Sequence, residues 1–179
     1  MNKEKSGFLS CVLALICSVA VLGIDQYTKY LVNLNFSLYE SRDFLKGFIN
    51  FVYIHNTGGA WGMLSGHTWI LLIFSVVLMG ACVVILLKVA KKSRLVFWAL
   101  SLVVFGGIGN MIDRIFRDGK VIDFLHFEFW PDFPVFNIAD CSIVLGAGLL
   151  ILYFIIDTVN ESKMKNTKAD IKEDENAEN

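Results

Sequence analysis

A chain of 179 residues that is 55% hydrophobic, with a mean hydropathy of +0.58, is too apolar for an ordinary soluble domain. Its formal net charge of −1 and the lack of any basic stripe exclude a nucleic-acid surface. Four segments approach the roughly 20 apolar residues needed to cross a bilayer core, so the chain reads as an α-helical integral membrane protein with four transmembrane helices.

The first span covers residues 8–24, behind Lys3 and Lys5. A basic start raises the question of a cleaved signal peptide, but no small-x-small site followed by polar sequence comes after it, so it reads as an uncleaved anchor. Cys17 lacks the small residue expected before a lipid-modified cysteine. Together with Cys11, Cys82 and Cys141 it lies in or beside a span, without a C-x-x-C pair. His55, His67 and His126 lack ligand spacing, and no metal or other cofactor is expected.

Next comes DQYTK, in which Asp25 and Lys29 are four apart and share one helix face. The outer segment 25–68 holds a strand-like run, Phe48 to Ile54, and closes in HNTGGAWGML, with Asn56, Gly58, Gly59 and Gly62. Phe36, Trp61 and Trp69 suit the membrane interface, and a small β-rich element on the outer membrane face is expected. Spans two and three, residues 69–87 and 95–112, are joined by a basic loop around Lys91 and Lys92. Span three ends in GGIGNMIDR, with Asn110, Asp113 and Arg114. The outer segment 113–137 carries Asp123 in GKVIDF, read as loop. FPVFNIAD, with Asn137 and Asp140, opens span four at residues 138–156. Residues 1–158 thus form one membrane domain, and the polar run 159–179 reads as a disordered cytoplasmic tail.

With both termini in the cytoplasm, ten of the 16 basic residues fall in short inner segments and six in the longer outer loops. The positive-inside rule favours that orientation. Nine acidic residues, Asp140 among them, then face outward.

Taken singly, the polar residues at the outer ends have plain explanations. Asp25 and Lys29 make an interfacial ion pair, and Asn137 caps span four with Asp140 in its favourable first turn. Arg114 snorkels to headgroups, Asn56 serves its turn, and Asp123 is solvated. Together they resist that account. Two N-x-x-D units, Asn110 to Asp113 and Asn137 to Asp140, converge on one membrane face, one closing a helix and the other opening one. Carboxylates crowded there, with Lys29 and Arg114 as the obvious counterions, imply shared protons or a deliberate charge balance, and one acid beside one base is the equipment of an aspartic protease.

DQYTK, NTGGAWG, GGIGNMIDR, VIDF and FPVFNIAD resemble, in order and in place relative to four spans, the motifs of the lipoprotein signal peptidases (signal peptidase II), from about Asp25 to Leu150. The resemblance implies an intramembrane aspartyl endopeptidase of the bacterial inner membrane. Such an enzyme removes signal peptides from diacylglyceryl-modified prolipoproteins, cutting before the lipidated cysteine. Asp123 and Asp140 match the family's catalytic dyad. Asp25, Lys29, Asn56, Gly58, Asn110, Asp113, Arg114 and Asn137 match substrate-binding or supporting positions. Spacing alone leaves Asp113 open as the partner of Asp140. The expected partners are prolipoprotein substrates and membrane lipids, with no nucleic acid, and the protein is expected to be a monomer. Two other readings remain. Cys141 with His126 as base would make a cysteine peptidase, although Cys141 points about 100° from Asp140 on a helix. A proton-coupled transporter would use intramembrane carboxylates, usually nearer the midplane than these.

Overall fold

Each apolar stretch becomes a helix, and three of them run past the apolar sequence into polar residues. α1 spans Lys3–Asn35, α2 Thr68–Val89, α3 Arg94–Phe116 and α4 Ile138–Ala177. The structure, a computed structural model, describes residues 3–89 and 93–177, so Lys91 and Lys92 of the basic inner loop lie outside the described residues. All four helices contain a window long and apolar enough to cross a membrane. DQYTK, placed by the sequence at the outer edge of a span, lies well inside α1, and Asn110 to Asp113 lies one turn before the end of α3. The outer segments expected from residues 25 and 113 therefore begin as helix. The polar sequence after Thr158 continues α4 as helical backbone to Ala177 rather than as irregular chain.

α3 is the central helix. It is buried over most of its span, whereas α1, α2 and α4 leave most of theirs exposed, as lipid-facing helices do. Small residues let its neighbours approach closely. A Cβ on Gly106 would fall 2.6 Å from the Ala139 carbonyl oxygen of α4, and one on Gly107 would meet Met79 of α2. A Cβ on Gly109 would fall 2.8 Å from the Asp25 carboxylate of α1. From the α4 side, Gly146 packs against the Ala99 carbonyl. Met79, Cys82, Val96, Leu100, Val103 and Val104 form the apolar core toward the opposite end of these helices.

At the site end lies a three-stranded antiparallel sheet in the order β1-β2-β3, formed by Ser41–Leu45, Ile49–Asn56 and Val121–Phe127. β3 occupies the segment read from sequence as loop. Its first four residues, Val121 to Asp123 and then Phe124, are all buried, so it lacks the alternation that marks a half-exposed strand. One side of the sheet packs on the end of α1 through Val32, Tyr53, Ile122 and Phe124. There the Tyr53 hydroxyl donates to Asn33 Oδ1 at 2.6 Å. On the other side, Asn56 reaches Asp123.

Candidate active site

Strand pairing, a loop bridge and a helix cap bring two distant carboxylates to one place. β2 pairs with β3 so that Ile54 opposes Asp123 and Asn56 opposes Val121. Asn56 therefore shares a face with Asp123, two residues from its direct partner. Phe136 bridges to β3, accepting from the Phe124 and Leu125 N–H groups at 3.0 and 2.8 Å and donating to the Leu125 carbonyl at 2.9 Å. That bridge sets the next residue, Asn137, beside Asp123. Asn137 then caps α4: its Oδ1 accepts the Asp140 N–H at 2.9 Å while Asp140 Oδ2 accepts the Asn137 N–H at 3.1 Å. This reciprocal exchange is the capping-box arrangement, with Asp in the third helical position.

Three asparagines meet the two carboxylates, and each is oriented by a second bond. Asn137 spends its oxygen on the helix cap, so its Nδ2 donates to Asp123 Oδ1 at 2.6 Å. Asn56 spends its oxygen on the Gly58 N–H at 2.9 Å, so its Nδ2 donates to Asp123 Oδ2, also at 2.9 Å. Asn110 Oδ1 accepts from Lys29 Nζ at 3.1 Å and from Asn137 Nδ2 at 3.0 Å, so its Nδ2 faces Asp140 Oδ1 at 2.7 Å. Every oxygen of Asp123 and Asp140 thus receives one N–H donor, and both carboxylates are fixed in direction.

Asp123 is 2% exposed. Burial, then the negative charge of Asp140, pushes its carboxyl up from an ordinary 3.8 to about 7, against the hydrogen bonds from Asn56 and Asn137 and the charge of Lys29. Both acids line one pocket of about 330 Å³ with Asn56, Asn110 and Arg114. Its remaining walls are apolar: Val121, Phe133 to Phe136, Ile143 and Val144, with Trp61 against Phe133 edge to face at 6.0 Å. Gly58 also lines it and receives Arg114 Nη2 on its carbonyl at 3.1 Å. A Cβ there would lie 2.9 Å from the Gly62 carbonyl carbon, so the turn closes only on glycine.

The supporting charges sit behind the pocket. Asp25, Lys29 and Asp113 are fully buried, and Lys29 Nζ lies 2.9 Å from Asp25 and 3.2 Å from Asp113. Asp113 also accepts from Arg117 Nε at 3.3 Å and from the Ile122 N–H at 3.0 Å. It does not line the pocket and is bonded to Arg117 instead. Cys141 is exposed and His126 bonds the Pro131 carbonyl, and neither lines the pocket. Sequence reasoning passed over Gln26, Arg117, Phe133 and Phe136. A signal existed only for Gln26, inside DQYTK, and for Arg117, four residues after Asp113.

Comparison with known proteins bears on this arrangement. Residues 17–156 match the family described as Signal peptidase (SPase) II, Peptidase_A8. The chain is 37% identical over 155 residues to a lipoprotein signal peptidase of Enterococcus faecalis, covering 87% of this chain and 95% of that one. It is 36% identical over 147 residues to a lipoprotein signal peptidase of Symbiobacterium thermophilum, covering 81% and 95%. Two solved structures, each described as a bacterial membrane enzyme, superpose with TM-scores of 0.74 and 0.69 at 33% and 32% identity. They cover 83% and 79% of this chain, and 90% and 92% of theirs.

Proposed function

Because the chain belongs to the signal peptidase II family, the lipoprotein signal peptidases, we propose that Asp123 and Asp140 are the catalytic pair of its aspartic peptidase activity. The enzyme removes signal peptides from prolipoproteins. The observation that carries the pairing is that both carboxylates face one pocket, with all four oxygens oriented by asparagine N–H groups.

The pair shares one proton near neutral pH, because burial and the charge of Asp140 oppose ionisation of Asp123. The ionised carboxylate takes a proton from a water held between the two, and the protonated one donates to the scissile carbonyl oxygen as the water attacks. The roles exchange as the leaving amine is protonated. One proton on the pair also balances the cluster: Asp25, Asp113, Asp123 and Asp140 then carry three negative charges against Lys29, Arg114 and Arg117. Arg114 Nε is buried without a hydrogen-bond partner, which leaves the guanidinium suited to a substrate carbonyl.

The substrate is diacylglyceryl-modified, cut before its lipidated cysteine. The pocket walls on α4, Ile143 and Val144, support this. Val144 is 71% exposed, so the apolar wall continues onto the lipid-facing side of the helix, where acyl chains can lie. The enzyme is read as a monomer in the bacterial inner membrane, with both termini cytoplasmic and the pocket near the outer face, an orientation that the excess of basic residues in the inner segments supports. Asp123→Asn and Asp140→Asn, assayed by mass spectrometry on a diacylglyceryl-modified peptide, should each lose turnover by about 10²–10⁴-fold. Near-normal cleavage by either removes that residue from the pair.

A further inference from the structure

Two carboxylates outside the proposed pair repeat one task. Asp25 Oδ1 accepts the backbone N–H of Ala139, the residue before Asp140, at 2.8 Å. Asp113 Oδ2 accepts the N–H of Ile122, the residue before Asp123, at 3.0 Å. α1 then joins these two carboxylates twice within one helical turn. Lys29 Nζ spans them at 2.9 and 3.2 Å. Gln26 Nε2 spans them again, 3.1 Å from Asp25 Oδ2 and 3.2 Å from Asp113 Oδ1, and lies 3.0 Å from the Gly109 carbonyl oxygen. The neighbours of Nε2 are all acceptors. Turning the amide over would press Oε1 against two carboxylates and a carbonyl, so the donor orientation is fixed.

We propose that Gln26 is a positioning residue of the peptidase: its amide, alongside Lys29, clasps Asp25 to Asp113 and so sets the spacing of the two backbone segments that carry Asp140 and Asp123. The inference rests on the catalytic pairing above. Each gripped N–H is one peptide unit from a catalytic residue, so a change in the distance between Asp25 and Asp113 passes directly to the pair. Lys29 supplies charge, but an ammonium on a flexible stem is a point charge that tolerates sliding. The planar amide adds direction without adding charge to a cluster that one proton already balances. The charged groups facing the clasp are Asp25 and Lys29 from α1, Asp113 from α3 and Arg117 from its C-terminal cap, with Asp123 of β3 and Asp140 of α4 beyond them on the pocket side.

The test uses the purified full chain and a diacylglyceryl-modified peptide. Gln26→Leu, which keeps bulk but no donor, should lower kcat by about ten- to a hundredfold with KM within about twofold. It should also move the alkaline limb of kcat to lower pH, because carboxylates allowed to separate repel each other less. Gln26→Glu, able to donate one hydrogen only when protonated, should regain kcat as pH falls, and Gln26→Leu should not. A folded Gln26→Leu with the parent's kcat and alkaline limb overturns the proposal. So does a loss equal at every pH that tracks the folded fraction. Should the leucine variant fail to fold, the glutamate variant decides, and no recovery at low pH overturns the clasp. Asp123→Asn is measured alongside. Turnover by that variant sinks the catalytic pairing itself, whereas an inactive Asp123→Asn beside a parent-like Gln26→Leu sinks the clasp alone.

Discussion

At the residue scale, the proposed pairing makes Asp123 the group through which pH should act on both activity and stability. Its carboxyl is raised from 3.8 to about 7, by burial first and the charge of Asp140 second. The proposed mechanism needs one proton on the pair, so kcat should fall on the alkaline side with an apparent pKa near 7, read from a pH–rate profile with saturating substrate. Stability carries the same sign. A carboxyl held more protonated in the folded state contributes fully below about pH 4, and that contribution is lost as pH climbs through about 7. Thermal unfolding of Asp123→Asn, which cannot ionise there, should vary less with pH across that window than unfolding of the parent.

At the element scale, contact between helices is set by single atoms. Gly106→Ala puts a methyl 2.6 Å from the Ala139 carbonyl, beside Asp140, and α3 and α4 must part to admit it. It should lower stability by about 1–3 kcal/mol and reduce activity with it. Gly148→Ala, with nothing within 4 Å of the new Cβ, should be neutral or gain about 0.5–1 kcal/mol from helix propensity. Differential scanning fluorimetry of both variants in detergent separates the two cases. Removing the central cation is more severe: Lys29→Met leaves Asp25 and Asp113 buried beside each other and should cost about 3–5 kcal/mol. The four spans and the N-x-x-D units were legible in the sequence because long apolar runs broken by polar pairs leave little else to propose. β3 was not, since Val121 to Phe124 are buried on both faces and carry no period of two. The helical length of α1 through DQYTK was hidden for a related reason. A polar pair looks like a span boundary until a third partner, Asp113, arrives from residues far along the chain. The role of Asp113 stayed ambiguous because its grip is on a backbone N–H, which no sequence pattern records.

At the scale of the whole molecule, the proposed orientation and the tail are separable from the chemistry. In a variant whose four native cysteines are replaced by alanine, a cysteine introduced at Asp132, in the loop before α4, should react with a membrane-impermeant maleimide added outside intact cells, and one at Asn179 should not. Deleting residues 165–179 should leave kcat/KM within about twofold, since the pocket and its supports lie between Asp25 and Val144. The buried charges also bear on how such a chain enters a bilayer at all. Asp25 and Lys29 stand four apart on α1, and Asp113 of α3 stands four before Arg117, the residue that caps that helix, both in the acid-first order that suits a helix. Those two pairs can therefore form within the sequence of each helix before the helices meet, whereas Arg114 of α3 lines the pocket with Asp123 and Asp140, which come later in the chain. Lys29 can reach Asp113 only when the two helices meet, so the bond behind the proposed catalytic pair also reports that α1 and α3 have docked.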